Sequence, residues 1–552
     1  MSVPTPTPEP AAGRADHNVA ALHEAVAAAV PERDCIVWRD RRLSWAEVTD
    51  RTRRLAAVLT GHGVGLRRGP DGAPVAAAGV PPWDSPHDHV ATYLHNGNEY
   101  LETLLGAWKA RAAPFNVNYR YVAAELSYLL TDSRAAAVVY HGAFAATLAE
   151  VLPGLPHVRL LLQVDDGSGA DLLPGARDYE EALAAAVPAA PTGLSPDDRY
   201  VLYTGGTTGM PKGVLWRQGD FFATCVGVTQ PEEELLAAAR RRALRTLPSA
   251  PFMHGAAHWN ALSAWATGGT VVVQDDPTRF DPADVLATCE REGVRALQIV
   301  GDPFAGPLLE ELARTDYDLS GLRFLLSGGA VLSAPVKARL TAAVPGLTIV
   351  DVLGSSETGR QAVTRGGAGA FVPERTAVVL SEDLSRRLAP GDPEAGWLAQ
   401  VGRVPLGYLG DEAKTRATFP VVDGVRYAVS GDKVRLQDDG RLDFLGRESV
   451  TINTGGEKVF AEEVEQALTS HPAVRDAVVV GRPSERWGQE VVAVMALVAG
   501  AGRPPDDELR AHCRSTLAGY KVPKEFVVVD RVVRSPAGKA DYAWARTAAT
   551  PG

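Results

Sequence analysis

The stretch YTGGTTGMPKGV, residues 203–214, has residue types and spacing that indicate phosphate chemistry. Glycines allow the backbone to approach a ligand closely, and their successive N–H groups can cradle anionic oxygens. Threonine hydroxyls add donors, and Lys212 adds a positive point charge. The spacing does not fit the Walker pattern GxxxxGK[ST], so we expect a phosphate loop of another kind. A glycine-rich hairpin that binds nothing is the structural alternative.

The segments on either side of this loop predict the elements that position it. RYVLYT before the loop and GVLW after it are rich in β-branched and aromatic residues, which predicts two strands. From residue 93 onward, helical patterns such as EYLETLLGAWKA alternate with short apolar strands such as AAAVVY, ALQIV and LTIVDVLG. This alternation predicts buried, mostly parallel strands, with ligands bound beyond their carboxyl ends.

The chain of 552 residues is long enough for at least two domains. Residues 1–17 are proline-rich and predict a disordered tail, and residues 18–447 predict the large N-terminal domain. From residue 448 to 552 the pattern changes to a compact unit with a helix at AEEVEQALTSH and strands at AVVVG and VVAVMALV. The sequence therefore predicts a boundary after residue 447.

Composition limits the classes of function. The net charge of −11 opposes general attraction to nucleic acid, and no apolar run is long enough to predict a membrane span. The four cysteines lie far apart without a CxxC pair, so we expect buried, inert thiols instead of disulfides or a zinc site. The N-terminus has no signal-peptide pattern, which predicts a cytoplasmic protein. A homodimer is left open.

Seven motifs, in order along the chain, carry a resemblance to a known family. They are YTGGTTGMPKGV, PFMHGAAHW, LLSGGAVLS, DVLGSSETG, VSGDKVRLQDDGRLDFLGR, INTGGEKVFAEEVE and RSPAGKAD. This set resembles the adenylate-forming superfamily, which contains acyl-CoA synthetases, firefly luciferase and nonribosomal peptide adenylation domains. The resemblance covers about residues 20 to 548. ARAAPFNVNYRY and SERWGQE look most like the fatty-acyl and steroid-acid CoA ligase branch.

The resemblance implies an α/β fold, in which a large adenylating domain with mixed sheets carries a small mobile α+β domain. It also implies that ATP and an acid give an acyl adenylate and pyrophosphate. Lys539 is similar to the lysine that bridges the acid and the α-phosphate, and Glu357 is similar to the glutamate that holds Mg²⁺. Lys212 and Arg447 are expected to assist at phosphate or ribose, and Asp432 is similar to the aspartate that accepts both ribose hydroxyls.

The remaining nucleotide contacts follow from the same resemblance. We expect the glycine loop, the segment lining adenine and the glutamate motif to supply Thr204, Gly205, Gly206, Thr207, Thr208, Gly209, Gly328, Gly329, Ala330, Asp351 and Ser356. Taken alone, several of these residues have structural alternatives. Glu357 can be a solvated loop residue, Asp432 a turn former, Arg447 one side of an ion pair, and SGGA a tight turn.

The second half of the family's cycle transfers the acyl group to CoA. The resemblance implies that the small domain rotates about a hinge at Ser449, withdrawing Lys539 and bringing Gly455 and Gly456 to the site. These glycines would let the pantetheine arm pass close to backbone. A simple turn before the next helix is the structural alternative for the glycine pair.

The acid pocket is expected to be mostly apolar, built from FMHGAAHW, GDPFAG and LGSSETGRQ. Its candidate residues are Phe252, His254, His258, Trp259, Phe304, Leu353 and Arg360. Leu353, Arg360 and His258 do not suit a plain fatty acid, since the resemblance places an aromatic ring at Leu353 and small residues near Arg360. They indicate either a second polar group on the substrate or, for Arg360, an ion pair with a nearby carboxylate.

Three functions are compatible with these residues. The first is ATP-dependent acyl-CoA synthesis with ATP, Mg²⁺ and CoA. The second is a ligase of specialised metabolism that activates a small or unusual acid, even nitrous acid, and transfers it to an amine. The third is a silent nucleotide-binding protein, which retention of Lys212, Glu357, Asp432 and Lys539 together disfavours.

Overall fold

The structure, a computed structural model, describes residues 16–204, 210–241, 244–365, 370–447, 450–454, 457–484, 487–517, 519–535 and 538–550. Five predicted loop residues, Gly205 to Gly209, lie outside this part of the chain, as do Ser449, Gly455 and Gly456. Their roles stay predictions. Asp16 and His17, which we assigned to the tail, contact the body of the protein: Asp16 pairs with Arg403 at 3.0 Å, and the His17 ring bonds the Gln230 carbonyl at 2.8 Å.

Helices lie throughout the described residues. They are α1 Val19–Ala29, α2 Trp45–Gly61, α3 Asn98–Lys109, α4 Ala123–Asp132, α5 Ala145–Val151, α6 Tyr179–Ala185, α7 Gln218–Phe221, α8 Glu232–Arg241, α9 Gly255–Trp265, α10 Pro282–Glu292, α11 Gly301–Leu312, α12 Ala334–Ala343, α13 Glu412–Thr418, α14 Ala461–Thr469, α15 Asp506–Arg514 and α16 Tyr542–Ala548. The start of α2 follows from sequence: Ser44 and Glu47 form the capping box that their spacing predicts. None of the described helices is long and apolar enough to cross a membrane.

A nine-stranded sheet forms the centre of the large N-terminal part. In spatial order its strands are β16 Val372–Pro373, β15 Gly359–Arg365, β14 Thr348–Ser355, β13 Phe324–Gly328, β12 Ala296–Ile299, β10 Arg245–Pro248, β11 Thr270–Val273, β1 Asp34–Trp38 and β2 Arg41–Ser44. The strands from β14 to β1 pair in parallel, and the outer pairs are antiparallel. The predicted run of buried parallel strands is therefore confirmed.

Two further sheets pack beside it. A parallel sheet holds, in order, β4 Ala113–Asn116, β3 His89–Tyr93, β5 Ala135–His141, β6 Leu160–Val164 and β7 Arg177–Asp178. A small antiparallel sheet holds β19 Gly407–Tyr408, β9 Lys212–Arg217 and β8 Arg199–Thr204. The last two strands flank the glycine loop, as the sequence predicts.

Two antiparallel-rich sheets complete the fold. The first holds β17 Ala377–Leu380, β18 Ala395–Val401, β21 Val425–Leu436, β20 Val421–Val422 and β22 Leu442–Arg447. The second holds β24 Glu457–Phe460, β23 Thr451–Thr454, β26 Gly488–Leu497, β25 Val474–Ser484 and β27 Glu525–Val528, over its own apolar core. Strand β22 ends at Arg447, where we placed the domain boundary; the boundary itself stays a prediction.

All four cysteines are described, and none forms a disulfide. Cys35, Cys289 and Cys513 are buried, and Cys225 is half-buried. Burial raises the pKa of Cys289 to about 12 and that of Cys513 to about 11, which keeps both thiols protonated and unreactive.

Candidate active site

The carboxyl ends of the parallel strands bring the predicted motifs together. Strands β10, β12, β13 and β14 run in the same direction, so the segments that follow them meet at one edge of the sheet. These segments are 249–254, 300–305, 329–331 and 356–358, and they contain four of the motifs that the sequence singles out. We call the space between this edge and the segment carrying Lys539 the cleft.

The glycine loop is fastened to this edge at its base. Strands β8 and β9 pair up to Thr204 opposite Lys212, so the described ends of the loop lie side by side. Asn116, buried at the end of β4, donates to the carbonyls of Tyr203 at 2.9 Å and Met253 at 2.8 Å. Its side-chain oxygen accepts the Tyr203 N–H at 2.8 Å. Asn116 thus joins the loop to the segment containing His254, a role that sequence reasoning missed.

Lys212 and Glu357 are both held by one short segment. The Lys212 ammonium lies 2.8 Å from the Asp411 carboxylate and 5.8 Å from the centre of the Tyr408 ring. The Tyr408 hydroxyl donates to Glu357 Oε1 at 2.8 Å. Neither Tyr408 nor Asp411 was predicted; the signal available in the sequence was a polar aromatic and an acid flanking a glycine in GYLGD.

The glutamate motif is a tight hairpin turn between β14 and β15. Ser355 Oγ accepts the Glu357 N–H at 3.2 Å, and the Ser356 carbonyl accepts the Trp216 indole N–H at 3.1 Å. Gly359 has a φ of +65°, and a Cβ there would lie 2.8 Å from Thr224. Backbone conformation and close packing both require glycine at this position. The motif is therefore ordered by backbone contacts rather than being a freely solvated loop.

Asp432 and Arg447 face each other across strands β21 and β22. Arg447 Nε donates to Asp432 Oδ1 at 2.9 Å, and the Ser430 hydroxyl donates to Oδ2 at 3.0 Å. Asp432 is only 1% exposed, and its negative charge raises the pKa of Arg447 above the usual range. The ion-pair alternative for Arg447 is thus present in the structure, and it holds the carboxylate in place.

Lys539 reaches the cleft from the C-terminal sheet. The preceding Gly538 packs against Val300 and Pro303, where an added Cβ would lie 3.2–3.3 Å away, and Arg475 pairs with Glu310 at 3.0 Å across the same boundary. Lys539 itself is exposed to solvent.

Two charged side chains, Arg447 and Glu357, influence the ionisation of Lys539. Burial between the two parts of the protein and the positive charge of Arg447 lower the pKa of Lys539, whereas the negative charge of Glu357 opposes that shift. The structure therefore brings three of the predicted catalytic side chains into one electrostatic environment.

His254 is the neutral group of this environment. Burial and the charge of Lys539 lower the pKa of His254 to about 3. Its buried Nε2 has no hydrogen-bond partner among the described residues. A buried, unpaired ring nitrogen is costly, so this atom fits a polar group of a ligand.

His258 and Trp259 form a closed chain of hydrogen bonds with Tyr200. The Trp259 indole N–H donates to the Tyr200 oxygen at 3.2 Å, and that hydroxyl lies 2.6 Å from His258 Nε2. His258 Nδ1 lies 2.6 Å from the Phe252 carbonyl, which requires that Nδ1 carries the proton and Nε2 accepts. Burial lowers the pKa of His258 to about 4, so the ring is neutral. The polar atoms of this wall satisfy one another.

The other pocket candidates are placed as follows. Phe252, Phe304 and Leu353 are buried, with the Phe304 ring 4.1 Å from that of Phe280. Arg360 pairs with Glu374 at 3.1 Å, which matches the ion-pair interpretation of this residue. Their contact with a substrate stays a prediction.

Two of the nucleotide candidates have protein partners or backbone constraints. Asp351 is buried and pairs with Lys337 at 2.8 Å, so a protein cation neutralises its charge. Gly328 ends β13, and Gly329 has a φ of +91°, which makes SGGA the tight turn that we considered as an alternative. Ala330 follows this turn at the edge of the sheet, and the contact of this segment with adenine stays a prediction.

Comparison with known proteins gives consistent matches along the chain. The family model of AMP-binding enzymes matches residues 85–398, and that of the AMP-binding enzyme C-terminal domain matches residues 463–539. The chain is 50% identical to medium-chain acyl-CoA ligase Mig of Mycobacterium avium, over 97% of this chain and 98% of the relative.

A second relative and a solved structure agree. The chain is 40% identical to a medium/long-chain-fatty-acid–CoA/3-oxocholest-4-en-26-oate–CoA ligase of Mycobacterium tuberculosis, over 96% of this chain and 95% of the relative. The crystal structure of the anthranilate CoA ligase AuaEII in complex with anthranoyl-AMP superposes with a TM-score of 0.80, at 21% identity and 97% coverage of both chains. At that identity the likeness concerns the fold.

Proposed function

The chain belongs to the AMP-binding enzyme family and is an adenylate-forming acyl-CoA ligase, and we propose that its acid is a medium-chain aliphatic carboxylate activated in the cleft. Such a ligase joins the acid to the α-phosphate of ATP with loss of pyrophosphate, and then transfers the acyl group to CoA with loss of AMP. The packing of Gly538 against Val300 and Pro303 is the observation that carries the placement of this chemistry, and the charges of Glu357 and Arg447 that act on Lys539 support it.

In the first step, a carboxylate oxygen of the acid bonds to the α-phosphorus, and the bond to pyrophosphate breaks. Two anions must meet, so cations are needed around them. Lys539 supplies a mobile charge between the acid and the α-phosphate, and Lys212 supplies a second at the glycine loop. His254 stays neutral and offers Nε2 to the reacting groups without adding charge.

The nucleotide and metal have fitting partners in the described residues. Asp432, held by Arg447 and Ser430, presents a buried carboxylate to the ribose hydroxyls. Glu357 has one oxygen bonded to Tyr408, and its Oε2 accepts no hydrogen bond from the described residues, so it fits a hard cation. Mg²⁺, when bound there, would neutralise charge on the phosphate oxygens.

In the second step, the CoA thiol attacks the acyl carbonyl and AMP leaves. For this step we propose the hinge at Ser449, with Gly455 and Gly456 lining the path of the pantetheine arm. The contacts across the boundary between the two parts of the protein include the Arg475–Glu310 pair. Because the pair is exposed, water can hydrate both side chains when the contact breaks, at little cost in free energy. We also propose a cytoplasmic location for the enzyme, because its substrates ATP and CoA are cytoplasmic metabolites.

The hydrogen bonds among Tyr200, His258 and Trp259, which we expect to form one wall of the acid pocket, are the basis for the proposed acid. Because these polar atoms pair with one another, the wall has no spare donor to recognise a substituent on the substrate. This favours a hydrocarbon chain, and the two relatives named for medium-chain and steroid-acid substrates support it. The amine-transferring alternative is not favoured, since those relatives are CoA ligases.

The experiment incubates the purified protein with ATP, Mg²⁺, CoA and a panel of acids. The panel contains hexanoate, octanoate, decanoate, hexadecanoate, 3-oxocholest-4-en-26-oate and benzoate, each assayed for pyrophosphate and for thioester by mass spectrometry. We expect octanoate and decanoate to give the highest kcat/KM for thioester formation. Replacing CoA with an amine is the matched control, and it should give no amide.

Each result bears on a separate part of the proposal. Thioester formation only from the steroid acid or benzoate would overturn the medium-chain assignment while keeping the ligase. Amide formation at a rate equal to thioester formation would support the specialised ligase. Absence of acid-dependent pyrophosphate across the panel would contradict the activation of these acids by the protein.

A further inference from the structure

The GYLGD segment, residues 407–411, is fastened alongside the strand that follows the glycine loop. Gly407 pairs with Leu215 and Tyr408 with Val214 in an antiparallel ladder. The Leu409 N–H extends this pairing by donating to the Gly213 carbonyl at 2.8 Å. Because β9 begins at Lys212, the segment has a fixed position next to the phosphate side of the cleft.

Within this segment, Tyr408 is rigidly mounted. Its ring is 5% exposed and lies 5.8 Å from that of Phe419, and its N–H donates to Thr415 Oγ1 at 2.9 Å. Its hydroxyl donates to Glu357 Oε1 at 2.8 Å. One oxygen of Glu357 is thereby fixed, and Oε2 remains available.

Asp411 occupies the other end of the segment. Its Oδ2 accepts from the Lys212 ammonium at 2.8 Å, and its Oδ1 accepts the Lys414 N–H at 2.8 Å as the N-cap of α13. The bond from Lys212 lowers the pKa of Asp411, so the carboxylate is ionised. Both members of the pair are partly exposed, Lys212 at 39% and Asp411 at 36% of the side chain. Another anion can therefore replace Asp411 as the partner of Lys212.

We propose that the GYLGD segment is a positioning element for the phosphate and metal side chains. Tyr408 orients the Glu357 carboxylate so that Oε2 is available to Mg²⁺, and Asp411 competes with nucleotide phosphate for Lys212. Both are positioning residues, since they act through Glu357 and Lys212. This inference rests on the proposed function, in which Glu357 is the metal ligand.

The test for Tyr408 is calorimetric binding of α,β-methylene-ATP to the full chain, with and without Mg²⁺. In the wild type, we expect Mg²⁺ to raise the affinity for this analogue. Tyr408→Phe keeps the ring and removes the hydroxyl, and we expect it to reduce that Mg²⁺-dependent increment about ten-fold while the Mg²⁺-free affinity is unchanged. Tyr140→Phe is the matched control. Tyr140 is also buried, its hydroxyl donates to Gln163 Oε1 at 2.9 Å, and it does not belong to the nucleotide motifs. It should retain the full increment.

The test for Asp411 uses Asp411→Asn, which keeps an oxygen to cap α13 and removes the charge that holds Lys212. We expect the Mg²⁺-free affinity for the analogue to rise about two- to five-fold, with the Mg²⁺ increment unchanged. An unchanged or weaker affinity would overturn the competition between Asp411 and phosphate.

Glu357→Gln separates failure of this inference from failure of the proposed function. If Glu357→Gln abolishes the Mg²⁺ increment and Tyr408→Phe retains it, Tyr408 does not position the carboxylate, and the metal assignment stands. If Glu357→Gln itself retains the increment, the metal assignment is wrong. Circular dichroism of each variant confirms folding before the titrations.

Discussion

The hydrogen-bonded group of Tyr200, His258 and Trp259, which we call the wall, and the charged junction around Lys539 are built on opposite principles. In the wall, each donor and acceptor is neutral and paired within the protein, and burial keeps His258 uncharged with a pKa of about 4. In the junction, the Lys539 ammonium is influenced by the charges of Arg447 and Glu357 and has no hydrogen-bond partner among the described residues.

This difference separates recognition from chemistry. A neutral wall whose polar atoms are all paired can select an acid by shape, because it has no free polar group to bind a substituent. The junction keeps charges that become fully used only when phosphate and carboxylate groups arrive. A variant in the junction should therefore change rate with little change in stability, and a variant in the wall should change stability first.

Lys539→Ala tests the junction and has the largest expected effect. We expect adenylation, measured as acid-dependent exchange of pyrophosphate into ATP, to fall about 10²–10³-fold, because a preorganised charge at the developing bond is lost. Thioester formation from a supplied acyl adenylate and CoA should remain within about three-fold of the wild type, since Lys539 serves the first step.

The control for this variant is the unfolding midpoint, which should not move because Lys539 is exposed to solvent. Equal loss of both half-reactions would contradict the division of work between the two steps. It would also remove the contrast between junction and wall, since a general structural defect would then explain the result.

His258→Ala tests the wall. Removing the ring leaves the Tyr200 hydroxyl and the Phe252 carbonyl without their partners, and we expect the free energy of unfolding to fall by about 3 kcal/mol. The measurement is the urea midpoint followed by tryptophan fluorescence. His258→Gln retains one donor and one acceptor and should recover part of the loss. A loss of adenylation without a loss of stability would place His258 in the chemistry and break the comparison.

The sequence was sufficient to predict the elements whose signals are local. Strands β8 and β9, the capping box of α2 and the parallel strands follow from residue periodicity and turn chemistry. The alternation of helices and strands also predicted that ligands bind beyond the carboxyl ends of the parallel strands, and the resemblance added Lys539 from the far end of the chain.

The parts that could not be predicted depend on long-range contacts. Asn116 joins the ends of two strands from different sheets, and Tyr408 reaches Glu357 only because β19 pairs with β9. Neither contact leaves a periodic signal in one sequence. The ion pair of Asp351 with Lys337, which lies on a neighbouring helix, is a further contact that no local pattern indicates, and the contact of Asp351 with nucleotide stays a prediction.

Glu465, on α14 beside the junction, gives the smallest expected effect. Burial and the nearby charge of Glu462 raise its pKa to about 8, although the Val479 N–H, at 2.9 Å from Oε1, and Arg534 oppose the shift. The unfolded glutamate has its ordinary pKa near 4.5. Between these two values the folded chain holds a proton that the unfolded chain has released, so stability falls as pH rises.

Glu465→Gln should remove this pH dependence, because an amide oxygen can still accept the Val479 N–H but cannot ionise. At pH 6 the variant is expected to be about 2 kcal/mol more stable to unfolding than the wild type, and near pH 4.5 the two should nearly coincide. Urea unfolding at both pH values measures the difference, with Glu412→Gln, at an exposed position on α13, as the control that should change little. An equal difference at both pH values would mean that ionisation of Glu465 does not control stability at the junction.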